Sequence, residues 1–135
     1  MSAFANEKPM PGATLTVGGA PVMFRGECVS ASASVPAAMT SVQGTKYQST
    51  GADWKVDEPT NAGFFCLKFT IPEPQHYEYT YVSDATPTTQ GTKCTATANG
   101  DLNGDGTFST FTLFGTVTNN LLAISPNLGE VNAEE

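Results

Sequence analysis

Residues 92–117 read TKCTATANGDLNGDGTFSTFTLFGTV, and this stretch predicts a β-hairpin. Its two ends are rich in threonine and aromatic residues, which favour strands. Between them lies a run of Asn, Asp and Gly, the residues that favour tight turns. Residues 92–98 and 107–117 are therefore predicted strands, and the central run is the turn that joins them.

The same turn carries an oxygen-bearing side chain at every second position. These positions are Asp101, Asn103, Asp105, Thr107 and Ser109. With Gly106 at the bend, the spacing matches positions 1, 3, 5, 7 and 9 of an EF-hand calcium loop, whose glycine is at 6. The twelfth position, normally a bidentate carboxylate, is Thr112, and the flanks predict strands instead of helices. Two interpretations stay open here: half a Ca²⁺ site set in a hairpin, or a long turn without an ion.

Three further segments are predicted strands. Residues 64–71 alternate large apolar side chains with others, residues 76–81 alternate tyrosines with polar residues, and residues 121–124 are a short apolar run. Phe65, Leu67 and Phe69 then share one apolar face. Strands in sequence joined by short turns form an antiparallel meander. The predicted fold class is mainly β, with an antiparallel sheet of four or more strands.

The length of 135 residues predicts one domain with a single core. Residues 1–60 contain many Pro and Gly residues and predict a long loop-rich segment draped over the sheet, with short strands at 13–17 and 21–25. Residues 61–125 form the predicted sheet. Residues 126–135 are a predicted acidic tail that stays in solvent.

Charge and motif content exclude several classes of function. The formal net charge is −7, with only six Lys and Arg residues, which argues against nucleic-acid binding. His76 is the only histidine, and neither a nucleophile motif nor a glycine-rich phosphate loop accompanies it. The chain is therefore predicted not to be an enzyme.

Three cysteines allow one disulfide and leave one thiol. On the predicted sheet, Cys66 and Cys94 lie two strand spacings apart, roughly 10 Å, which is too far for a bridge. Cys28, in the draped segment, is the better partner for Cys66, and their bond would contribute on the order of 3–4 kcal/mol. The alternative is three reduced thiols.

A family resemblance is carried by four motifs. They are Cys66-Leu-Lys-Phe69, Pro74-Gln-His-Tyr-Glu-Tyr-Thr-Tyr81, residues 95–106 and Ser109-Thr-Phe111. Together they resemble the globular domain of bacterial type IV pilins, over about residues 45–135. The end of the chain, Ser125-Pro-Asn127 and residues 130–135, is similar to that of the same group.

The resemblance implies a structural subunit of a type IV pilus or pilus-like filament, located on the cell surface and anchored in the inner membrane before assembly. Its partners would be other pilin subunits or a separate chain that supplies the pilin helix, with no nucleic acid required. Asp101, Asn103 and Asp105 match the acidic loop of that group, and related pseudopilins bind Ca²⁺ near their C-terminus. Phe65, Leu67 and Phe69 would form the face that packs on the helix.

The sequence departs from this family at its beginning. A type IV pilin starts with a prepilin-peptidase site and a long hydrophobic helix, and neither is present here. Membrane contact would come only through that helix. Phe4-Ala-Asn-Glu7 is interpreted as the stub of the helix, or else the helix belongs to a separate chain.

An alternative comes from another class of protein. It is a secreted β-sheet module that binds glycan or protein through Tyr77, Tyr79, Tyr81 and Trp54. Exposed tyrosines in the folded chain would favour this module, whereas exposed aliphatic side chains would favour the pilin head.

Overall fold

The computed structural model describes residues 5–8, 24–86, 88–89, 91–119 and 121–134. Its largest element is a five-stranded antiparallel sheet. The strands are β3 (Tyr77–Ser83), β4 (Lys93–Gly100), β5 (Ser109–Thr118), β6 (Leu121–Ile124) and β7 (Gly129–Val131). A separate two-stranded ribbon pairs β1 (Ala5–Lys8) with β2 (Phe24–Glu27). The predicted mainly β, antiparallel fold class is confirmed.

The register of the meander defines two faces of the sheet. Tyr79 pairs with Ala98, which pairs with Phe111, and these side chains lie on the inner face. Because successive side chains of a strand point to opposite sides, the neighbouring rung of Thr80, Thr97 and Thr112 lies on the outer face. The hairpin of β4 and β5 is the one predicted from residues 92–117. Both β6 and β7 pair with β5 on its other side.

The predicted strand at residues 64–71 is wrong. The chain forms a one-turn helix, α1 (Gly63–Leu67), and ends it at Lys68, whose φ of 54° is left-handed. Phe64, Cys66 and Leu67 are buried, and Phe64 and Leu67 are three residues apart, which is a helical spacing. The alternation at 65, 67, 69 and 71 did not reflect burial, since the covalent bond of Cys66 and the packing of Phe64 determine this segment.

Residues 24–76, the continuously described segment before the sheet, are more regular than the predicted long loop. Besides β2, it contains three short 3-10 helices, Met39–Val42, Asp53–Lys55 and Glu58–Thr60. It follows the edge of β3: Val35 and Tyr79 exchange two backbone hydrogen bonds of 3.0 and 2.9 Å. The predicted strand at 21–25 overlaps β2, and the one at 13–17 lies outside the described residues.

The C-terminal segment also differs from the prediction. Residues 129–131 form β7 against Thr110–Thr112 of β5 instead of a free tail, although their side chains are exposed. The backbone of β5 thus gains a second partner beyond the end of β6. Among the described helices, none has the length and apolar content needed to cross a bilayer.

Candidate functional site

The inner face of the sheet bears an apolar groove of about 180 Å³. Two alanines of β4, Ala96 and Ala98, line it where larger side chains stand on both neighbouring strands. The two cross-strand rungs are Tyr79–Ala98–Phe111 and Tyr81–Ala96–Leu113. A small residue between two large ones leaves a depression, so the groove follows from the placement of alanine in the central position of each rung.

Residues outside the sheet also line the groove. Phe64 and Leu67 reach it from α1, and Phe69 reaches it from the chain that follows. Leu128, which precedes β7, lines it as well and remains 47% exposed. A half-exposed leucine beside an apolar depression marks a surface that is stabilised when another apolar element covers it.

The aromatic side of the groove is held by Trp54. Its ring lies edge-on to Phe64 and Phe69, with centroids 5.1 and 5.5 Å apart, and 6.3 Å from the ring of Tyr79. The indole N–H donates to Ser49 Oγ at 2.9 Å, and Ser49 Oγ donates to the carbonyl of Ile71 at 3.0 Å. Trp54 therefore fixes the aromatic residues that line the groove, and its own polar atom is satisfied.

A disulfide fixes α1 against the rest of the chain. Cys28 and Cys66 are bonded, with an S–S distance of 2.10 Å and a Cα–Cα distance of 5.8 Å, across 38 positions of sequence. The predicted pairing is confirmed, although the sheet position assumed for Cys66 was wrong. Cys94 is a free, buried thiol.

The three residues predicted as a helix-packing face do not share a strand face. Leu67 is 6% exposed and lines the groove together with Phe69, while Phe65 is half-buried and does not line it. Four residues of the groove were not predicted from the sequence: Ala96, Ala98, Phe111 and Leu113. Their signal was present in the small-large alternation of the hairpin strands, but only the register brings them into one rung.

The loop predicted to bind Ca²⁺ is closed by its own hydrogen bonds. Asp101 accepts the N–H of Gly104 at Oδ1 (2.7 Å) and the N–H of Gly106 at Oδ2 (2.9 Å). Asn103 Oδ1 accepts the N–H of Asp105 at 2.9 Å, and Asn103 Nδ2 donates to Asp105 Oδ2 at 3.2 Å. The structure thus brings Asp101, Asn103 and Asp105 into one network.

The same loop is docked on the draped segment. The N–H of Gly44 donates to the carbonyl of Asp101 at 2.7 Å. A Cβ on Gly44 would lie 3.3 Å from the Cα of Gly104, and both glycines have positive φ. The two loops therefore touch through bare backbone, and Asp101, which is completely buried, sits at their junction.

Hydrogen bonds determine the charge state of Asp101. Burial by itself raises the pKa of this carboxyl, but the N–H groups of Gly106 and Gly104 and the side chain of Gln43 outweigh it. The pKa of Asp101 consequently lies below its ordinary value. The carboxylate is an ionised structural anchor whatever else the loop binds.

The remaining predicted ligands lie at the end of the loop. The N–H of Thr107 donates to Asp105 Oδ1 at 2.7 Å, and its side chain is exposed. Ser109 begins β5, is buried, and donates its Oγ to the carbonyl of Gly100 at 3.3 Å. Thr112, at the twelfth position, pairs with Thr97 within the sheet.

These residues fit Ca²⁺ only in part. Each carboxylate oxygen of Asp101 and Asp105 already accepts a hydrogen bond, although an oxygen has a second lone pair to offer. Within the described ranges no three His, Cys, Asp or Glu side chains converge on one point. Two carboxylates and one amide can hold a hard cation only weakly, with water completing the shell.

A second carboxyl cluster was not foreseen from the sequence. Glu27 is 1% exposed, and neither of its carboxyl oxygens has a hydrogen-bond donor among the described residues. A Cβ added to Gly91 would collide with both Glu27 Oε2 and Asp84 Oδ1, so both carboxyls converge there. Asp84 Oδ1 accepts the N–H groups of Thr92 (2.6 Å) and Lys93 (2.9 Å).

The electrostatics of this cluster favour neutral side chains. Burial and the neighbouring Asp84 raise the pKa of Glu27 to about 7. Burial and the charge of Glu27 raise the pKa of the Cys94 thiol to about 11, and burial also raises the pKa of Tyr81. Asp84 has its pKa lowered by the backbone N–H of Lys93, so it is the ionised member of the cluster.

No family model, no curated protein and no solved structure matches this chain. The pilin resemblance therefore rests on the quoted motifs, and the site is interpreted from its own geometry.

Proposed function

We propose that this chain is the globular head of a type IV pilin-like filament subunit on the cell surface. In this proposal the inner-face groove receives an apolar α-helix of the pilin type. The observation that carries it is the depression at Ala96 and Ala98, bounded by large apolar side chains on both neighbouring strands and on α1. The chain then acts through packing and has no catalytic role.

A helix fits this groove better than an extended peptide does. The axis of a helix can approach a sheet closely where the side chains beneath it are small, and a helix is about 10 Å across with its side chains. The two alanines allow the helix to approach the sheet closely, and Phe69 and Leu128 line the groove where they would contact the flanks of the helix. An extended peptide would instead require free backbone hydrogen bonds, which the face of a sheet does not offer.

The glycan- or protein-binding module has less support. Trp54 is 2% exposed and Tyr81 is 1% exposed, while Tyr77 and Tyr79 are half-buried, so none of the four aromatic side chains on which that function depends is fully exposed. The side chains that remain in contact with solvent include aliphatic residues, among them Leu128 beside the groove. This balance of exposed side chains favours the pilin head.

Calcium has a supporting role in this proposal. A weak Ca²⁺ site at Asp101, Asn103 and Asp105 would offset the repulsion between two nearby carboxylates and stiffen the hairpin loop. Sites of this kind in extracellular modules have dissociation constants of about 10⁻⁴–10⁻³ M. The ion would stabilise the loop and take no part in helix binding.

A direct test uses two substitutions on β4. Ala98→Phe fills the groove, and Thr95→Phe places the same ring on the outer face, at a position that does not line the groove, as a matched control. The probe is a fluorescent helical peptide of about 20 residues with one face of Leu, Val and Ala. Its binding is followed by fluorescence anisotropy, and urea unfolding establishes that each variant is folded.

We expect Ala98→Phe to weaken peptide binding by about tenfold or more, because the ring occupies the volume that the helix needs, and Thr95→Phe to leave it unchanged. Electron microscopy of the producing cells should show fewer surface filaments for Ala98→Phe alone. Equal binding and equal filament numbers for both folded variants would refute the proposal.

A further inference from the structure

Glu27 takes no part in the groove or in the Asp101 loop, yet it is among the largest fully buried side chains. We infer that Glu27 and Asp84 share one proton, and that this proton acts as a latch holding the end of β2 against the turn that follows β3. The latch closes when the proton is bound and opens when it is lost. The latch does not depend on the proposed assembly of the chain into a filament.

The two carboxyls meet without an intervening side chain. Both lie against Gly91, where an added Cβ would collide with Asp84 Oδ1, Glu27 Oε2 and the backbone nitrogen of Ala85. A buried polar atom without a partner costs about 1–3 kcal/mol, so a native structure rarely leaves two on one side chain. A proton on Glu27 gives one of these two oxygens a partner, because the resulting O–H can donate to Asp84.

A metal ion explains the cluster less well. The oxygens of Asp84 already accept three hydrogen bonds, from the N–H groups of Thr92 and Lys93 and from Thr92 Oγ1. The described part of the chain contains no group of three metal-ligating side chains around it. A proton needs only one donor and one acceptor, and the two carboxyls supply both.

The described groups that interact with Glu27 do not neutralise a second negative charge. Asp84 lies in the turn after β3, Tyr81 on β3 and Cys94 on β4, and each interacts electrostatically with Glu27. All three are acids, and the two that are neutral remain so because burial raises their pKa. Loss of the shared proton therefore leaves two carboxylates facing each other in a buried site.

The covalent structure determines what the latch can release. Cys28 stays in place because it is bonded to Cys66 and its carbonyl accepts hydrogen bonds from Tyr81 (3.1 Å) and Ser83 (2.6 Å). Within the described part of the chain, no disulfide or backbone hydrogen bond joins Glu27 or the rest of β2 to β3. Deprotonation should therefore loosen the β1–β2 ribbon while the sheet remains folded.

The test compares the full chain with Glu27→Gln, which keeps the shape of the side chain, and with Glu73→Gln, an exposed loop carboxyl, as the matched control. The first measurement is an NMR titration of the Glu27 side-chain carboxyl carbon. The second is hydrogen exchange of the β2 amides, corrected for intrinsic rates, from about pH 5 to about pH 8. Both are performed with a calcium chelator present.

We expect Glu27 to titrate near neutral pH and β2 protection to fall by about tenfold or more over the same range, while β4 protection stays constant. In Asp84→Asn the Glu27 titration should move to lower pH, because the neighbouring charge is gone. Glu27→Gln should keep β2 protected at every pH, and Glu73→Gln should behave as the unmodified chain.

Three results would overturn the latch. The first is a Glu27 carboxyl that is fully ionised at about pH 5. The second is β2 protection that falls with pH equally in Glu27→Gln. The third is a Glu27 titration that moves to lower pH when calcium replaces the chelator, because the pair would then hold a cation instead of a proton.

Discussion

The ring of Tyr77 lies directly over Gly100, where β4 ends and the Asp101 loop begins. A Cβ at Gly100 would lie 2.6 Å from Cδ1 and Cε1 of Tyr77, which is closer than two non-bonded carbon atoms can approach. The tyrosine also lies edge-on to Phe111, with centroids 5.8 Å apart. The glycine thus makes room for an aromatic pair that covers the start of the loop.

Gly100→Ala should therefore destabilise the fold by about 1–3 kcal/mol, because the methyl group must displace Tyr77 or bend the strand. Urea unfolding measures the change. Gly51→Ala is the matched control, since a Cβ there has nothing within 4 Å. A Gly100→Ala variant as stable as Gly51→Ala would contradict the packing described.

Asp101 and Asp105 should respond differently to alanine substitution. Asp101→Ala removes the acceptor of two loop N–H groups in a fully buried position, so the melting temperature should fall well below that of Asp105→Ala. Calcium should raise the melting temperature of the unmodified chain, and Asp105→Ala should abolish that increase while the protein stays folded. A melting temperature insensitive to about 10 mM Ca²⁺ would exclude even a weak site.

A substitution at Leu128 tests helix binding by the groove without disturbing the hydrophobic core. Because the leucine is 47% exposed, Leu128→Ser should change the free energy of unfolding by less than about 1 kcal/mol. It should nevertheless weaken binding of the helical peptide severalfold. Leu121→Ser, a more exposed leucine at 66% that does not line the groove, is the control. Equal peptide affinities for the two variants would remove Leu128 from the interface.

The disulfide should be worth on the order of 3–4 kcal/mol in urea unfolding, given the 38 positions between its cysteines. The double variant Cys28→Ser, Cys66→Ser should lose that amount and become insensitive to reductant. Without reductant, the unfolded natural chain should react with one equivalent of a thiol reagent, through Cys94, and the folded chain should react very slowly. Three reactive thiols would refute the bridge.

Stability should be greatest in mildly acidic solution. The pKa values of Asp84 and Asp101 are lowered from their ordinary 3.8, so the stability they contribute is present above that pH and is lost as the pH falls below it. The pKa of Glu27 is raised from 4.5 to about 7, so its contribution is complete below 4.5 and is lost as the pH rises through about 7.

Urea midpoints measured across this range should therefore be highest between the pH at which Asp84 and Asp101 become protonated and the pH at which Glu27 ionises. Glu27→Gln should remove the loss of stability on the alkaline side and leave the loss on the acidic side unchanged. A profile that stays level from about pH 5 to about pH 8 in the natural chain would contradict the buried state of Glu27.

The sequence predicted the hairpin and the strands around it because their information is local. Alternating side chains and Asn/Gly turns specify β3 to β6 within a few residues of each other. The strand predicted at residues 64–71 was wrong because Cys66 is bonded to a cysteine 38 positions away, and such a constraint overrides a local alternation of side chains.

The candidate sites depend on contacts that no local pattern contains. The groove exists because the register sets Ala98 between Tyr79 and Phe111. Glu27 meets Asp84 only after β2 has been brought beside the turn that follows β3, and neither residue has a spacing or motif that indicates the other. Burial of a carboxyl is a property of the tertiary structure, and a chain read residue by residue gives no sign of it.

The pairing of Val35 with Tyr79 has one more consequence. A sheet with two unpaired edges can add copies of itself without limit, whereas a sheet with one such edge can add a single partner and then stops. Here Ala31 and Val35 of the draped segment bond to the outer edge of β3, so among the described residues the side formed by β6 and β7 is the one without a strand partner. Edge-to-edge pairing of two such sheets would use the unpaired edge of each, which limits growth into an amyloid-like ribbon.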